Sequence, residues 1–136
     1  MPIDIDTLNG PQREAVVTTE GPLLVLAGAG SGKTRVLTYR IANILAQNLA
    51  APWESRATTF TNKAAREMTE RVRSLIPLDL SRLWSGTFHS IPNRILRQHA
   101  EYLGYTPAFT IMDSDDRKSM IKSVVKSLKL DEKSTR

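Results

Sequence analysis

Residues 23–38, LLVLAGAGSGKTRVLT, constrain what this chain can fold into more than any other stretch. Leu23, Leu24, Val25 and Leu26 form an unbroken apolar run that reads as a short buried strand. The small residues Ala27, Gly28, Ala29, Gly30, Ser31 and Gly32 follow, and Lys33 and Thr34 open an amphipathic helix. In that helix Leu37, Ile41, Ile44 and Leu45 share one face of the helical period. Strand, glycine loop and helix in that order are what a phosphate-binding loop requires. Glycine lets the backbone turn with its N–H groups inward and puts no Cβ in the way of a phosphate. The helix start adds unpaired N–H groups and the positive end of its dipole. Lys33 can reach the β- and γ-phosphates of a nucleotide, and the Thr34 hydroxyl can hold Mg²⁺. Ala27 stands where the strict pattern has glycine. The plainer alternative is a strand-to-helix turn with an exposed lysine; the helical periodicity beyond it favours the phosphate loop.

A chain of 136 residues is enough for one domain, though small for a mononucleotide-binding one. With no cysteine, disulfides and thiolate metal sites are excluded. No apolar run approaches the roughly 20 residues of a membrane helix, and the opening MPIDIDTLNG is unlike a signal peptide. A cytosolic protein is the expectation. Net charge is +5, and its distribution says more than its size. Residues 1–62 balance five Lys/Arg against five Asp/Glu, whereas residues 63–99 carry seven against three. A basic part beside a neutral one suggests a polyanion partner, nucleic acid first. A solvated helix surface is the competing account.

Taken in order, Asn9 can cap a short helix running through Val17, with Pro11 in its first turn. Gln12, three residues after the cap, can complete a capping box. Its amide can equally pair with N6 and N7 of adenine, and both roles stay open. After the helix from Lys33 to about Asn48 come a turn at Ala51-Pro52-Trp53 and a weak strand, Ala57 to Phe60. Thr61-Asn62 caps the next helix, with Ala64, Met68 and Val72 on its apolar face and Pro77 beyond its end. A second strand-to-helix junction runs from Leu83 to Ser90. Its helix is expected to bury Ile91, Ile95, Leu96, Tyr102 and Leu103 and to end at Gly104, with His99 a structural residue within it. Residues 109–112 read as a short strand, and Asp113 or Ser114 caps a last helix with Met120, Val124 and Leu128 on one face. Strands alternating with helices imply a parallel α/β sheet.

Three blocks then coincide: LNGPQREAV at 8–16, AGAGSGKTRVL at 27–37 and TFTNKAAREMTERV at 59–72. Together with GTFHS at 86–90, they resemble the UvrD/Rep/PcrA group of superfamily-one DNA helicases. The resemblance implies a P-loop NTPase fold of RecA-like type: a parallel sheet with flanking helices, incomplete here. It implies an ATP-driven motor that tracks single-stranded DNA in the 3′→5′ direction and opens single-strand/duplex junctions. By the same resemblance Gln12 reads adenine, Arg35 packs against the base, and residues 27–34 hold the phosphates, with Lys33 on phosphate and Thr34 on Mg²⁺. Phe60, Thr61 and Asn62 would line the DNA channel, with Thr87, Phe88 and His89 on or near the strand. The competing placement for Phe60 and Phe88 is the core, with His89 a hydrogen-bonded junction residue.

An ATPase of this kind also needs acids that hold Mg²⁺ and orient the attacking water. In the family they form an Asp-Glu pair directly after an apolar strand. The one Asp-Glu pair here, Asp131-Glu132, sits in the charged stretch KLDEKSTR with no strand before it. The expectation is therefore the N-terminal piece of such a helicase, not competent for hydrolysis alone. Residues 1–112 would belong to the first motor domain and residues 113–136 would begin an inserted helical subdomain, with the other helicase domains in cis. Two departures from the family pattern stand out: Ser55-Arg56-Ala57-Thr58 gives a polar entry to a central strand, and Ile91-Pro92-Asn93 follows GTFHS. A non-catalytic interaction module and a small P-loop kinase are the alternative functions.

Overall fold

The computed structural model describes residues 3–129. The chain forms two compact units, residues 1–95 and 96–136.

In the first unit, α1 (Gly10–Val17) starts where the sequence supplies its own cap. Asn9 Oδ1 accepts from the Gln12 N–H at 3.0 Å, and Gln12 Oε1 accepts from the Asn9 N–H at 3.1 Å, so the capping box forms. Next, α2 (Lys33–Ala46) begins directly after Gly32, whose φ of +83° is left-handed backbone that favours glycine. Pro52–Glu54 makes a single 3₁₀ turn. Then β1 (Arg56–Thr59), α3 (Asn62–Leu75) and β2 (Trp84–Thr87) follow, and each strand leads directly into a capped helix start. The two strands pair in parallel, Arg56 opposite Trp84 and Thr59 opposite Thr87.

Side chains alternate across the strands. Ala57 faces the helices and is buried with Ile41 and Leu45 of α2 and Met68 and Val72 of α3. Ser85, the register partner of Ala57, bonds to the Thr69 hydroxyl of α3 at 2.9 Å. The polar entry at Ser55-Arg56 is accommodated because Arg56 points to the other, open face. There its guanidinium lies 5.1 Å from the Trp84 ring, and Arg94 covers the same indole at 4.4 Å. A second apolar cluster, Leu8, Ala15, Val16 and Val36, locks α1 onto α2.

Several expectations are corrected. Residues 23–26 form no strand, and Leu24 and Leu26 are 82% and 88% exposed. A parallel strand needs neighbours on its edges and cover on its faces, and among the described residues only β1 and β2 pair. Without a ladder or a burying layer, the apolar run gains nothing by straightening. Residues 109–112 form no strand for the same reason. On α3, Ala65 and not Ala64 joins Met68 and Val72 in the core. The α2 helix stops at Ala46, two residues early, where Asn48 takes positive φ.

The helix after β2, α4 (Ser90–Gln98), is shorter than the apolar spacing suggests and gives way to a 3₁₀ turn, Ala100–Leu103. His99 therefore sits at a junction, not mid-helix. Gly104 closes the turn in left-handed backbone, as read. Leu96, Tyr102 and Leu103 are exposed, not buried. In this second unit Arg97 donates to the Pro107 and Phe109 carbonyls at 2.6 and 3.3 Å and packs on the Phe109 ring. The last helix, α5 (Ser114–Ser127), is capped by Asp113 as expected. Yet Met120, Val124 and Leu128 are exposed, and Val125 is its buried residue. The unit's described residues include no layer to cover that face.

Candidate nucleotide and DNA sites

The glycine loop is shaped by its own residues. Ser31 donates to the Gly28 carbonyl through both its N–H (3.3 Å) and its hydroxyl (2.5 Å), which folds residues 28–31 into a turn. Gly30 and Gly32 both take positive φ, at +73° and +83°. Among the described residues, the N–H groups of Gly32, Lys33 and Thr34 have no acceptor, and neither does the Lys33 ammonium or the Thr34 hydroxyl. These are the donors and the oxygen a triphosphate and Mg²⁺ would use, so the residues present fit both groups. A cleft of about 590 Å³ opens beside the loop, lined by Gln12, Val25, Ala27, Gly28, Ser31 and Lys33 among others. Ala29 and Gly30 form the exposed tip of the turn.

Gln12 is the structural partner of this loop. Its Nε2 donates to the Ser31 carbonyl at 3.1 Å. A Cβ on Gly32 would lie 2.7 Å from that same nitrogen, so another residue there would displace the Gln12 amide as well as strain the left-handed φ. Both amide ends of Gln12 are thus engaged, one in the capping box and one on the loop. An amide oxygen has two lone pairs and an NH₂ two protons. One of each remains, so capping and adenine pairing are compatible. Arg35 is also held: its guanidinium donates to the Thr7 hydroxyl at 2.8 Å and to the Thr7 carbonyl at 3.3 Å, and sits 5.6 Å from the Tyr39 ring.

The second set of residues gathers at the carboxyl ends of the two strands, the edge where parallel α/β sheets bind ligands. Because Thr59 and Thr87 are register partners, Phe60 and Phe88 leave adjacent strands together, and such strands lie roughly 4.8 Å apart. Phe60 is 102% exposed and Phe88 70%, so the core placement is wrong for both. His89 meets Phe88 edge-on, ring centroids 6.1 Å apart, and its carbonyl accepts from the Asn93 N–H. Both following helices carry side-chain caps. Thr61 accepts from the Ala64 N–H at 3.1 Å, placing Asn62 as the first residue of α3. Thr87 and Ser90 cap each other, Ser90 N–H to Thr87 Oγ1 at 3.1 Å and Thr87 N–H to Ser90 Oγ at 2.8 Å. Gly86 permits this, since a Cβ there would lie 2.5 Å from Ser90 Oγ. Asn62, Arg66, Gly86 and Ser90 line a cleft of about 410 Å³ at this edge.

The structure brings the residues expected to bind nucleotide together around α1 and α2, and those expected to contact DNA together around β1, β2 and their helices. No hydrogen bond or ring contact joins the two sets among the described residues. They are linked through the packing of α2 on α3. Asp131-Glu132 lies outside the described residues. Sequence reasoning missed Arg40 and Asn43, which bond to the end of α1. Polar side chains three apart on an otherwise apolar helix face were the available signal.

The loop, the helix that follows it and the parallel strand pair define the class: an α/β chain built on a glycine-loop nucleotide-site pattern. Residues 8–136 match the UvrD/REP helicase N-terminal domain, and the chain belongs to that family. It is 53% identical over 126 residues to the ATP-dependent DNA helicase PcrA of Bacillus subtilis (strain 168), covering 93% of this chain and 17% of that relative. To the PcrA of Staphylococcus aureus (strain Mu50) it is 53% identical over 129 residues, covering 95% of this chain and 18% of the relative. The PcrA of Staphylococcus epidermidis is 52% identical over 129 residues, with the same coverage. The chain therefore spans less than a fifth of the length of these relatives.

Proposed function

We propose that this chain is the N-terminal ATP- and single-stranded-DNA-binding part of a 3′→5′ DNA helicase. The observation that carries the reading is a pair of exposed aromatic residues: Phe60 and Phe88 directly follow the register partners Thr59 and Thr87, and both rings lie in water at the carboxyl edge of the sheet. Exposed rings on neighbouring strand ends are suited to taking a stacking ligand. Base–aromatic stacking supplies about 1–3 kcal/mol per base and tolerates any base, as a translocating motor requires. Thr61, Asn62, Thr87 and His89 frame the rings and offer polar groups and helix N-termini to the phosphates.

At the other site residues 27–34 bind the triphosphate, Lys33 neutralises it, Gln12 reads adenine and Arg35 flanks the base. The Thr34 hydroxyl would hold Mg²⁺, which would supply neutralisation of phosphate charge. Residues 1–112 belong to the RecA-like motor domain, and residues 113–136 begin the inserted helical subdomain. The exposed apolar faces at residues 23–26 and on α5 are accounted for if other parts of a longer parent protein, comparable in length to the relatives, cover them.

Steady-state phosphate release with saturating single-stranded DNA tests the division of labour. ATP binding lost in Lys33→Ala, with no turnover by the 136-residue chain, is expected. Robust turnover that Lys33→Ala abolishes would overturn the claim that the acids lie elsewhere.

A further inference from the structure

Helix α1 is fastened to α2 at both ends. At its start, Gln12 reaches the Ser31 carbonyl and the space above Gly32. At its end, the last carbonyls of a helix lack internal partners, and here α2 supplies them. Arg40 Nη1 donates to the Ala15 carbonyl at 2.5 Å and to the Thr18 carbonyl, and Asn43 Nδ2 donates to the Val16 carbonyl at 3.3 Å. A cation at a helix C-terminus is also favoured by the dipole. The spans agree. Gln12 to Thr18 covers about 9 Å of helix, and Gly32 to Arg40 about 12 Å, so the two helices run side by side in the same direction. Between the joints, Val16 is fully buried against Val36.

This clamp acts where the glycine loop has little else to hold it. The residues before the loop form no strand, and among the described residues the hydrogen bond that reaches the loop backbone from outside the loop and α2 is the one from the Gln12 amide. A helix that slid or rotated by a fraction of a turn would carry that amide away from Ser31. We infer that Arg40 is a positioning residue for base recognition: by fixing the C-terminus of α1 it sets where the Gln12 amide stands beside the glycine loop. The inference rests on the nucleotide-binding reading, and on Gln12 as the group that tells adenine from guanine. Guanine presents an acceptor, O6, where adenine presents the N6 donor.

The experiment compares the 136-residue chain with Gln12→Ala, Arg40→Met and the double variant, measuring dissociation constants for ATP, GTP and inorganic tripolyphosphate. It also follows hydrogen exchange of the Gln12 side-chain amide by NMR. Arg40→Met is expected to lower the ATP-over-GTP preference roughly tenfold, as Gln12→Ala does, with no further loss in the double variant. Tripolyphosphate affinity should not move, and the Gln12 amide should lose its protection. A merely structural role would weaken all three ligands alike and would overturn the inference, as would a wild-type preference with a protected Gln12 amide. If the parent chain binds neither nucleotide, the nucleotide reading fails by itself. The amide protection still decides whether Arg40 positions Gln12: retained in Arg40→Met, it refutes that. Should Arg40→Met not fold, Arg40→Lys keeps the charge without the fork. A partial fall in preference then supports the inference, and wild-type behaviour in both readouts contradicts it.

Discussion

The glycine loop and the carboxyl edge of the strand pair are built from the same local plan, a strand-like segment feeding a helix, but they are held differently. At the edge, β1 and β2 pair with each other, and α3 and α4 are capped by Thr61 and by the reciprocal Thr87–Ser90 bonds. At the loop, the preceding apolar run is unpaired and exposed, and the hold comes from one side, through α2 and Gln12. Caps are made from residues within four of each other and form wherever the chain folds locally. A strand is made by its neighbours. The contrast teaches that a glycine loop can keep its turn without a strand before it where a helix beside it grips the backbone.

The largest way to break this contrast is Gly32→Ala. The left-handed backbone costs about 1–3 kcal/mol for a non-glycine residue, and the added Cβ meets Gln12 Nε2 at 2.7 Å. Urea unfolding should show a loss of that order, and ATP affinity should fall by more than tenfold. Next come Phe60→Ala and Phe88→Ala. Each should leave stability within about 0.5 kcal/mol, because both rings are exposed. Each should weaken binding of oligo(dT) by about 1–3 kcal/mol in fluorescence anisotropy. A stability loss without an affinity loss would place the rings in the core after all.

Thr61→Ala sharpens the comparison at the well-held end. Losing the Ala64 N–H cap should cost about 1 kcal/mol of stability, readable in the urea midpoint. The matching change at the poorly held end, Leu24→Ser, should cost almost nothing in this chain, since Leu24 already faces solvent. The smallest effect concerns pH. The Ser81 N–H and hydroxyl bond to Asp79 and, with Arg73 and Arg82 nearby, hold its carboxyl below the ordinary carboxylate value. Its contribution to stability is complete above the ordinary carboxylate range and is lost as pH falls through the lowered value. Asp79→Asn should remove that slight dependence from the acid limb of a stability profile.

What could be read beforehand follows the same division. Asn9, Thr61 and Asp113 announce their helices because capping needs only the next few residues, and all three cap as expected. The strand at β1 was legible despite its polar entry, though why it tolerates Arg56 was not: the answer, a guanidinium over Trp84, comes from 28 positions away. Residues 23–26 misled because apolar spelling states what a segment can bury, not whether anything is there to bury it. Arg40 went unnoticed for the converse reason, since its partners, Ala15 and Thr18, are brought to it only by the packing of α1 on α2. The exposure of Phe60 and Phe88, the fact on which the DNA reading turns, needed the structure.

The central claim is that two ligands use two separate edges of this chain. Backbone amide shifts in one NMR titration, first with ATP and Mg²⁺ and then with oligo(dT), test it most directly. ATP should move residues 28–35 together with Gln12, and oligo(dT) should move residues 59–62 and 87–90. If oligo(dT) leaves both ring-bearing segments unmoved, or ATP leaves the glycine loop unmoved, the account is contradicted.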